Sequence, residues 1–253
     1  MRILLTGSEG YIGTPLHQRL IKQNHNVICL DIKINQSHNL LHFDKWPKDI
    51  DLVIHLAGKS GVRESIKDPT SYWFNNVEAS KRLFEAYQTT RIIYASSSSA
   101  YEPDLNPYAA SKYILEEVAA KHSNSLGLRL HTVYNNNPRK NMFVYRLLNG
   151  ELEYTTDHYR DFIHLNDVID SFDMLIEKNY LKGIIDVGTG IPTKISKIAP
   201  DLPIRINTPG ERQFTCANTE KLFSLGFRPK YSIENLLTKN KSDNIINLIT
   251  EKN

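Results

Sequence analysis

The sequence predicts an α/β protein: a doubly wound parallel sheet followed by a smaller C-terminal lobe. Three observations carry this. Short apolar runs alternate with helix-period segments over the first 135 residues. The runs are apolar on both faces, as strands covered by helices on both sides must be. A glycine-rich turn directly follows the first of them. Alternation of this kind builds βαβ units.

Ile3–Thr6 reads as the first strand, and Ile12, Leu16 and Leu20 recur at i, i+4, i+8 as one face of a helix. Asn26–Leu30, Leu52–Leu56, Arg91–Ala95 and Leu126–Val133 follow as strands, with helical spacing from Val77 to Tyr87 and from Tyr108 to Ala120. After Asn135 the texture changes. Turn-rich pieces such as Asn135-Asn136-Asn137-Pro138, Gly188-Thr189-Gly190 and Ile206-Asn207-Thr208-Pro209-Gly210 separate short helices. The expected division is therefore 1–135 for the main domain, with later segments returning to it, and 136–253 for most of a small lobe. The stretch from Ser242 to Thr250, with Ile245, Ile246, Leu248 and Ile249, is expected to dock as a helix.

Composition narrows the class. At 253 residues, 40% hydrophobic and 23% charged, the chain can bury a substantial core. Its net charge of +3, with no basic run, gives no sign of a nucleic-acid-binding stripe. Cys29 and Cys216 are too far apart to suggest a metal site or a disulfide framework, so no metal is expected and a reducing compartment, the cytoplasm, is. No apolar stretch approaches the roughly 20 residues of a membrane span, and Met1 to Gly7 holds too short an apolar core for a signal peptide.

Gly7, Gly10 and Gly13 follow the first strand and open the first helix. Such a turn lets backbone N–H groups approach a pyrophosphate, and the helix N-terminus favours its charge; on its own, the same turn also serves to pack helix on strand. The second strand ends in Asp31, whose carboxylate can bind both ribose hydroxyls of NAD and repels the extra phosphate of NADP. Tyr108 and Lys112 stand at i and i+4, on one helical face. A phenol with an ordinary pKa near 10 needs roughly 4 kcal/mol of help to act as a base at neutral pH. An ammonium about 4 Å away supplies interaction of that size at an effective dielectric near 20. Ser96 to Ser99 lie at the C-terminal end of the fourth strand, the edge where open parallel sheets bind ligands.

Taken together, these pieces resemble the extended short-chain dehydrogenase/reductases, the NAD-dependent sugar-nucleotide epimerase/dehydratase family. The matching pieces run in family order: Thr6 to Gly13, Asp31, Phe43-Asp44, His55 to Gly58, Gly61 to Ser65, Asn76-Val77, Ser96 to Tyr101 and Tyr108 to Lys112. Arg129 to Tyr134, Arg160 to His164, Asp186 to Gly190 and Leu225 to Pro229 complete the set. The resemblance implies a Rossmann-type domain holding NAD, a small lobe holding a nucleoside-diphosphate sugar, and a homodimer. It implies Tyr108 as base, Lys112 as its tuning partner and nicotinamide-ribose ligand, and Ser97 as the hydroxyl partner of the substrate. Cofactor contacts are expected from Gly7, Gly10, Tyr11, Ile12, Gly13, Asp31, Ile32, Asp44, Leu56, Ala57, Gly58, Asn76 and His131, as well as Tyr108 and Lys112. Substrate contacts are expected from Ser97, Thr132, Arg160 and Arg212.

The branch is argued from what is missing. The family's dehydratases carry an acidic pair after the catalytic hydroxyl, because expelling water needs an added acid and base; here Ser98 and Ser99 stand there. Epimerisation at C4 is therefore expected, and Gly61 to Ser65 resembles the segment of UDP-glucose or UDP-glucuronate 4-epimerases. Three departures bear on the substrate: Tyr101 to Tyr108 and Asn137 to Arg160 are both short. The family's diphosphate-clamping arginine before Gly210-Glu211 is replaced by Asn207 or Thr208, leaving Arg160, Arg205 and Arg212 to serve. The alternatives are a reductase, dehydrogenase or dehydratase of the same fold, and a non-catalytic dinucleotide-binding regulator.

Overall fold

The computed structural model describes residues 1–140, 142–206 and 208–238; the apolar tail expected to dock as a helix, and Asn207, lie outside them. In chain order the strands are β1 (Arg2–Thr6), β2 (Asn26–Leu30), β3 (Leu52–His55), β4 (Arg91–Ser97), β5 (Ser125–Leu130), β6 (Thr132–Tyr134), β7 (Tyr159–His164), β8 (Gly183–Val187) and β9 (Pro192–Lys194). The helices are α1 (Gly13–Lys22), α2 (Val62–Lys67), α3 (Pro69–Trp73), α4 (Ala79–Ala86), α5 (Pro107–Ala120), α6 (Phe143–Leu148), α7 (Leu165–Ile176), α8 (Ile195–Ile198) and α9 (Glu220–Ser224).

Six strands form a parallel sheet in the order β2-β1-β3-β4-β5-β8. Successive side chains of β1 go to opposite faces. Ile3 and Leu5 pack with Leu16 and Leu20 of α1 and with Val168, Phe172 and Leu175 of α7. Leu4 packs with Ala79 and Leu83 of α4 and Leu115 of α5. Each fully buried side chain of this kind contributes roughly 2 kcal/mol, which is why the strands carry no polar alternation. The Rossmann-type doubly wound sheet is as expected.

β2 and β3 lie on opposite sides of β1, so the winding direction reverses there and opens a crevice at the strands' carboxyl ends. The glycine turn and the segment after β3 both sit at that crevice. A second sheet, β6-β7-β9, pairs β6 with β7 in parallel and β7 with β9 antiparallel. Its own core includes Tyr134, Val144, Phe162 and Ile195, joined by Ile233 and Leu236.

Two elements differ from the sequence reading. The run Leu126–Val133 is two strands: β5 ends at Leu130 in the large sheet, and Thr132 starts β6 in the small one. The His131 amide still donates to the Val187 carbonyl, after which the chain leaves the sheet. Apolar continuity conceals such a change of partner. The helix read from Val77 begins earlier, at α3, and passes through a π-helical turn over Phe74–Glu78 before α4. Among the described residues no helix is long and apolar enough to cross a membrane.

Candidate active site

Gly7 has φ +72, and a Cβ there would stand 2.6 Å from the Ala57 amide nitrogen; at Gly13 it would stand 2.0 Å from the Gly7 carbonyl oxygen. The turn is therefore closed to any side chain at these two points, and backbone is brought within reach of a ligand. Gly7 N–H donates to Leu30 O and Gly10 N–H to Gly7 O, whereas the amides of Tyr11 and Ile12 enter none of the bonds that tie the turn. These amides lead into α1, whose N-terminus favours an anion.

At the end of β2, Asp31 accepts the Glu9 amide at 3.0 Å and the Lys33 amide at 2.9 Å, one on each oxygen. The Lys33 ammonium closes the corner by donating to Glu9 O at 2.8 Å. Asp31 is thus fixed with lone pairs left for ribose hydroxyls. Beyond it, Ile32 and Asp44 are exposed at the rim.

Between the strand ends runs a buried polar chain. The Ala57 amide donates to Thr6 Oγ1, Thr6 Oγ1 is 2.7 Å from His55 Nδ1, and His55 Nε2 is 2.8 Å from Ser80 Oγ, which donates to Asn76 O. Because Ser80 gives its proton to that carbonyl, His55 donates from Nε2 and accepts at Nδ1. Burial first, and the Lys112 charge second, push its pKa down to about 3, so it stays neutral. Asn76, expected to touch the cofactor, has its amide committed elsewhere. It donates to Lys59 O and Ser111 Oγ and accepts from the Lys59 amide, stapling the loop after β3 to α5. Gly58 lies against it: a Cβ there would stand 2.9 Å from Asn76 Oδ1 and 3.8 Å from Lys112 Nζ. Leu56 and Ala57 pack into the two faces of the sheet below.

Asn106 caps α5 by accepting the Ala109 amide, and Pro107 opens the helix, so Tyr108 stands in its first turn. Burial pushes the Tyr108 phenol up, and a hydrogen bond with the Ser97 side chain draws it down. Ser97 Oγ accepts the Ser99 amide at 3.1 Å, leaving its own proton to donate. The Lys112 ammonium donates to Ala95 O at 2.9 Å, and burial lowers its pKa to about 8 against the opposing charge of Glu116. Tyr72, 3% exposed, sets its ring edge-on to that of Tyr108 at 6.2 Å and donates to Ser60 O.

A cavity of about 640 Å³ opens beside Ser97, within the range of small-molecule sites. Its wall includes the hydroxyls of Ser97, Ser98, Ser99 and Thr132 and the charged side chains of Arg63, Arg146, Arg160, Arg212 and Glu211. Arg160 lies there, and its carboxylate neighbour is Glu211, at 4.0 Å. Asp161 is committed to the amides of Thr189, Gly190 and Ala217. Arg212 donates to Glu102 and to Ser98 O, both at 2.6 Å. Arg205 instead stacks over Tyr154, 4.1 Å from the ring centroid. His131, expected against the cofactor, turns its enclosed ring to Asp186, with Nε2 3.3 Å from Oδ2. Arg63 and Arg146 were not among the expected contacts. Arg63 donates twice to Glu211, across 148 positions of sequence; its place in Gly61 to Ser65 was the available signal, and Arg146 on α6 had none.

Residues 3–188 match the model of the NAD dependent epimerase/dehydratase family. The UDP-glucose 4-epimerase of Cyamopsis tetragonoloba is 26% identical over 92% of this chain and 92% of its own. A solved structure of MoeE5 in complex with UDP-glucuronic acid and NAD superposes with a TM-score of 0.79, at 26% identity over 94% of this chain and 97% of that one. The UDP-glucuronic acid 4-epimerase from Bacillus cereus, in complex with UDP-glucuronic acid and NAD, gives a TM-score of 0.80 at 27% identity, over 98% and 100% of the chains.

Proposed function

The chain belongs to the NAD-dependent epimerase/dehydratase family, with NAD as its cofactor, and on that footing we propose that it inverts C4 of a UDP-linked sugar of the glucose or glucuronate type. One observation carries the choice of epimerisation: in the cavity wall Ser97 is followed by the hydroxyls of Ser98 and Ser99, where a dehydratase needs an acid and a base. The similarity to epimerases acting on UDP-sugars supports the nucleotide.

The glycine turn Gly7–Gly13, the fixed carboxylate of Asp31 and the buried Lys112 suit a dinucleotide's pyrophosphate, adenosine ribose and nicotinamide ribose in turn. The chemistry that NAD supplies when bound is reversible hydride transfer at the sugar carbon. Ser97 donates a hydrogen bond to the 4-hydroxyl, and Tyr108 takes its proton at the phenolate oxygen. Lys112, one turn along α5 from Tyr108, would hold the nicotinamide ribose, and the positive charge of an oxidised nicotinamide would lower the proton affinity of the phenol. The cavity gives the 4-keto sugar room to turn before Tyr108 returns the proton.

The test is incubation with UDP-glucose and with UDP-glucuronate, followed by chromatography and NMR of the sugar. Expected are the C4 epimer of one of them and no net NADH, with Tyr108→Phe about 100-fold slower or worse. Stoichiometric NADH, or loss of water from the sugar, overturns the reading.

A further inference from the structure

Asp186, the next-to-last residue of β8, takes no part in the chemistry described above. Three segments of the cavity wall meet on its carboxylate. The Tyr101 hydroxyl, from the turn carrying Ser98 and Ser99, donates to it with 3.0 Å to each oxygen. The His131 imidazole, from the junction between β5 and Thr132, approaches Oδ2 at 3.3 Å. The Asn218 amide, from the loop that carries Arg212, donates to the same oxygen at 2.9 Å. These partners lie 85, 55 and 32 positions away in sequence.

Asp186 is 5% exposed and the His131 side chain 0%, so the pair is enclosed within the wall. His131 Nδ1 is buried without a hydrogen-bond partner among the described residues, and Asp186 is thus its side chain's polar anchor. Burial would push the Asp186 carboxyl up, but the bonds from His131, Asn218 and Tyr101 hold it below the usual carboxylate range. The arrangement extends to the cavity through the Tyr101 ring: the Arg129 guanidinium lies 4.1 Å from its centroid and that of Arg212 5.5 Å. Arg212 in turn lines the cavity and bonds Ser98 O.

We propose that Asp186 is a positioning residue for nucleotide-sugar binding, fixing through Tyr101, His131 and Asn218 the three wall segments that hold Ser97 to Ser99, Thr132 and Arg212. This rests on the nucleotide reading given above, and the experiment separates the two. Titrating UDP and NAD calorimetrically into wild type, Tyr101→Phe, Asp186→Asn and the double variant reads binding without turnover. Tyr101→Phe keeps the ring under Arg212 and removes only the hydroxyl; because Tyr101 is 45% exposed, this variant keeps the test alive should Asp186→Asn fail to fold.

Expected are UDP affinities about 10-fold weaker in each single variant, a double variant no weaker than Asp186→Asn, and NAD affinity within about 2-fold of wild type. In turnover, KM rises and kcat holds. UDP binding by Tyr101→Phe equal to wild type overturns the proposal alone. Losses in UDP and NAD affinity that fall together with the melting temperature overturn it too, as signs of general loosening. A wild type that binds NAD but not UDP overturns the nucleotide reading and this inference with it.

Discussion

The Lys112 ammonium is 7% exposed, gives one hydrogen bond to a carbonyl, and has its pKa brought down by burial from the usual 10.5 to about 8. Such a displacement corresponds to roughly 3 kcal/mol of opposition to the charged form. Its sign sets the pH dependence. The folded pKa lies below the unfolded one, so between about 8 and 10.5 the unfolded chain binds more protons and stability rises with pH. Below about 8 the native protein carries the whole penalty. Lys112→Met removes the charge at nearly equal length, and we expect it to melt above wild type at pH 7, with the advantage shrinking as pH rises from 8 towards 10. Thermal melts over that range check it; an unchanging difference would show that burial of the charge is not what Lys112 costs the fold. At this scale the sequence was informative: Gly7 to Gly13, Asp31, Ser97 and Tyr108 all stand at strand or helix ends, where local order dictates place. Lys112 shows the limit, because i and i+4 spacing gives a common face but not which acceptor the ammonium chooses.

The helices on the second face of the sheet divide their apolar residues between two uses. Leu83 and Leu115 are 0% and 2% exposed and belong to the chain's own core. Val118 also packs against that core, while Trp73, Phe74 and Tyr113 stay 42%, 48% and 38% exposed. All of these stand on helices, and helical periodicity alone does not divide the core-facing from the outward-facing ones. Between α3 and α4 the π turn resets the helical phase, burying Asn76 and Val77 and leaving Phe74 outside. Asn76 shows what the turn gains, since its amide ties the loop after β3 to Ser111. We propose that the exposed aromatic residues meet their counterparts in a homodimer, aromatic side chains being enriched at such interfaces. Sedimentation of the protein at micromolar concentration is expected to give a dimer, and the double variant Trp73→Glu/Tyr113→Glu a folded monomer. A wild type that sediments as a monomer removes the homodimer from the reading.

Over the whole molecule, the cavity joins the carboxyl edge of the large sheet to the second sheet and the segments around it, and its charges come from both. Arg63 of α2 reaches Glu211, Arg212 reaches Glu102, and Asn106 donates to Gly210 O, so three contacts draw the 210–212 segment onto the main domain. Such pairings, spanning 104 to 148 positions, depend on which loops meet in space, and no local pattern announces them. They also rank the arginines as ligands for a diphosphate. Arg212 already has a carboxylate oxygen at 2.6 Å, whereas the guanidinium of Arg160, 19% exposed, has its nearest at 4.0 Å. Burial lowers the pKa of Arg160, outweighing the attraction of Glu211. A buried cation with incomplete pairing gains most when an anion arrives, since charge-assisted bonds strengthen where water is excluded. Losing one such contact costs a few kcal/mol, enough to weaken binding about 10- to 100-fold. Arg160→Ala is therefore expected to raise KM for the UDP-sugar by that factor, and Arg212→Ala by less, because the charge of Arg212 is already met by Glu102. NAD affinity should hold in both, as neither arginine approaches the glycine turn. Steady-state kinetics with a parallel NAD titration decides the order: Arg212→Ala as the more damaging change would place the diphosphate on the Ser98 side of the cavity, and an unaltered KM in Arg160→Ala would remove Arg160 from the substrate site.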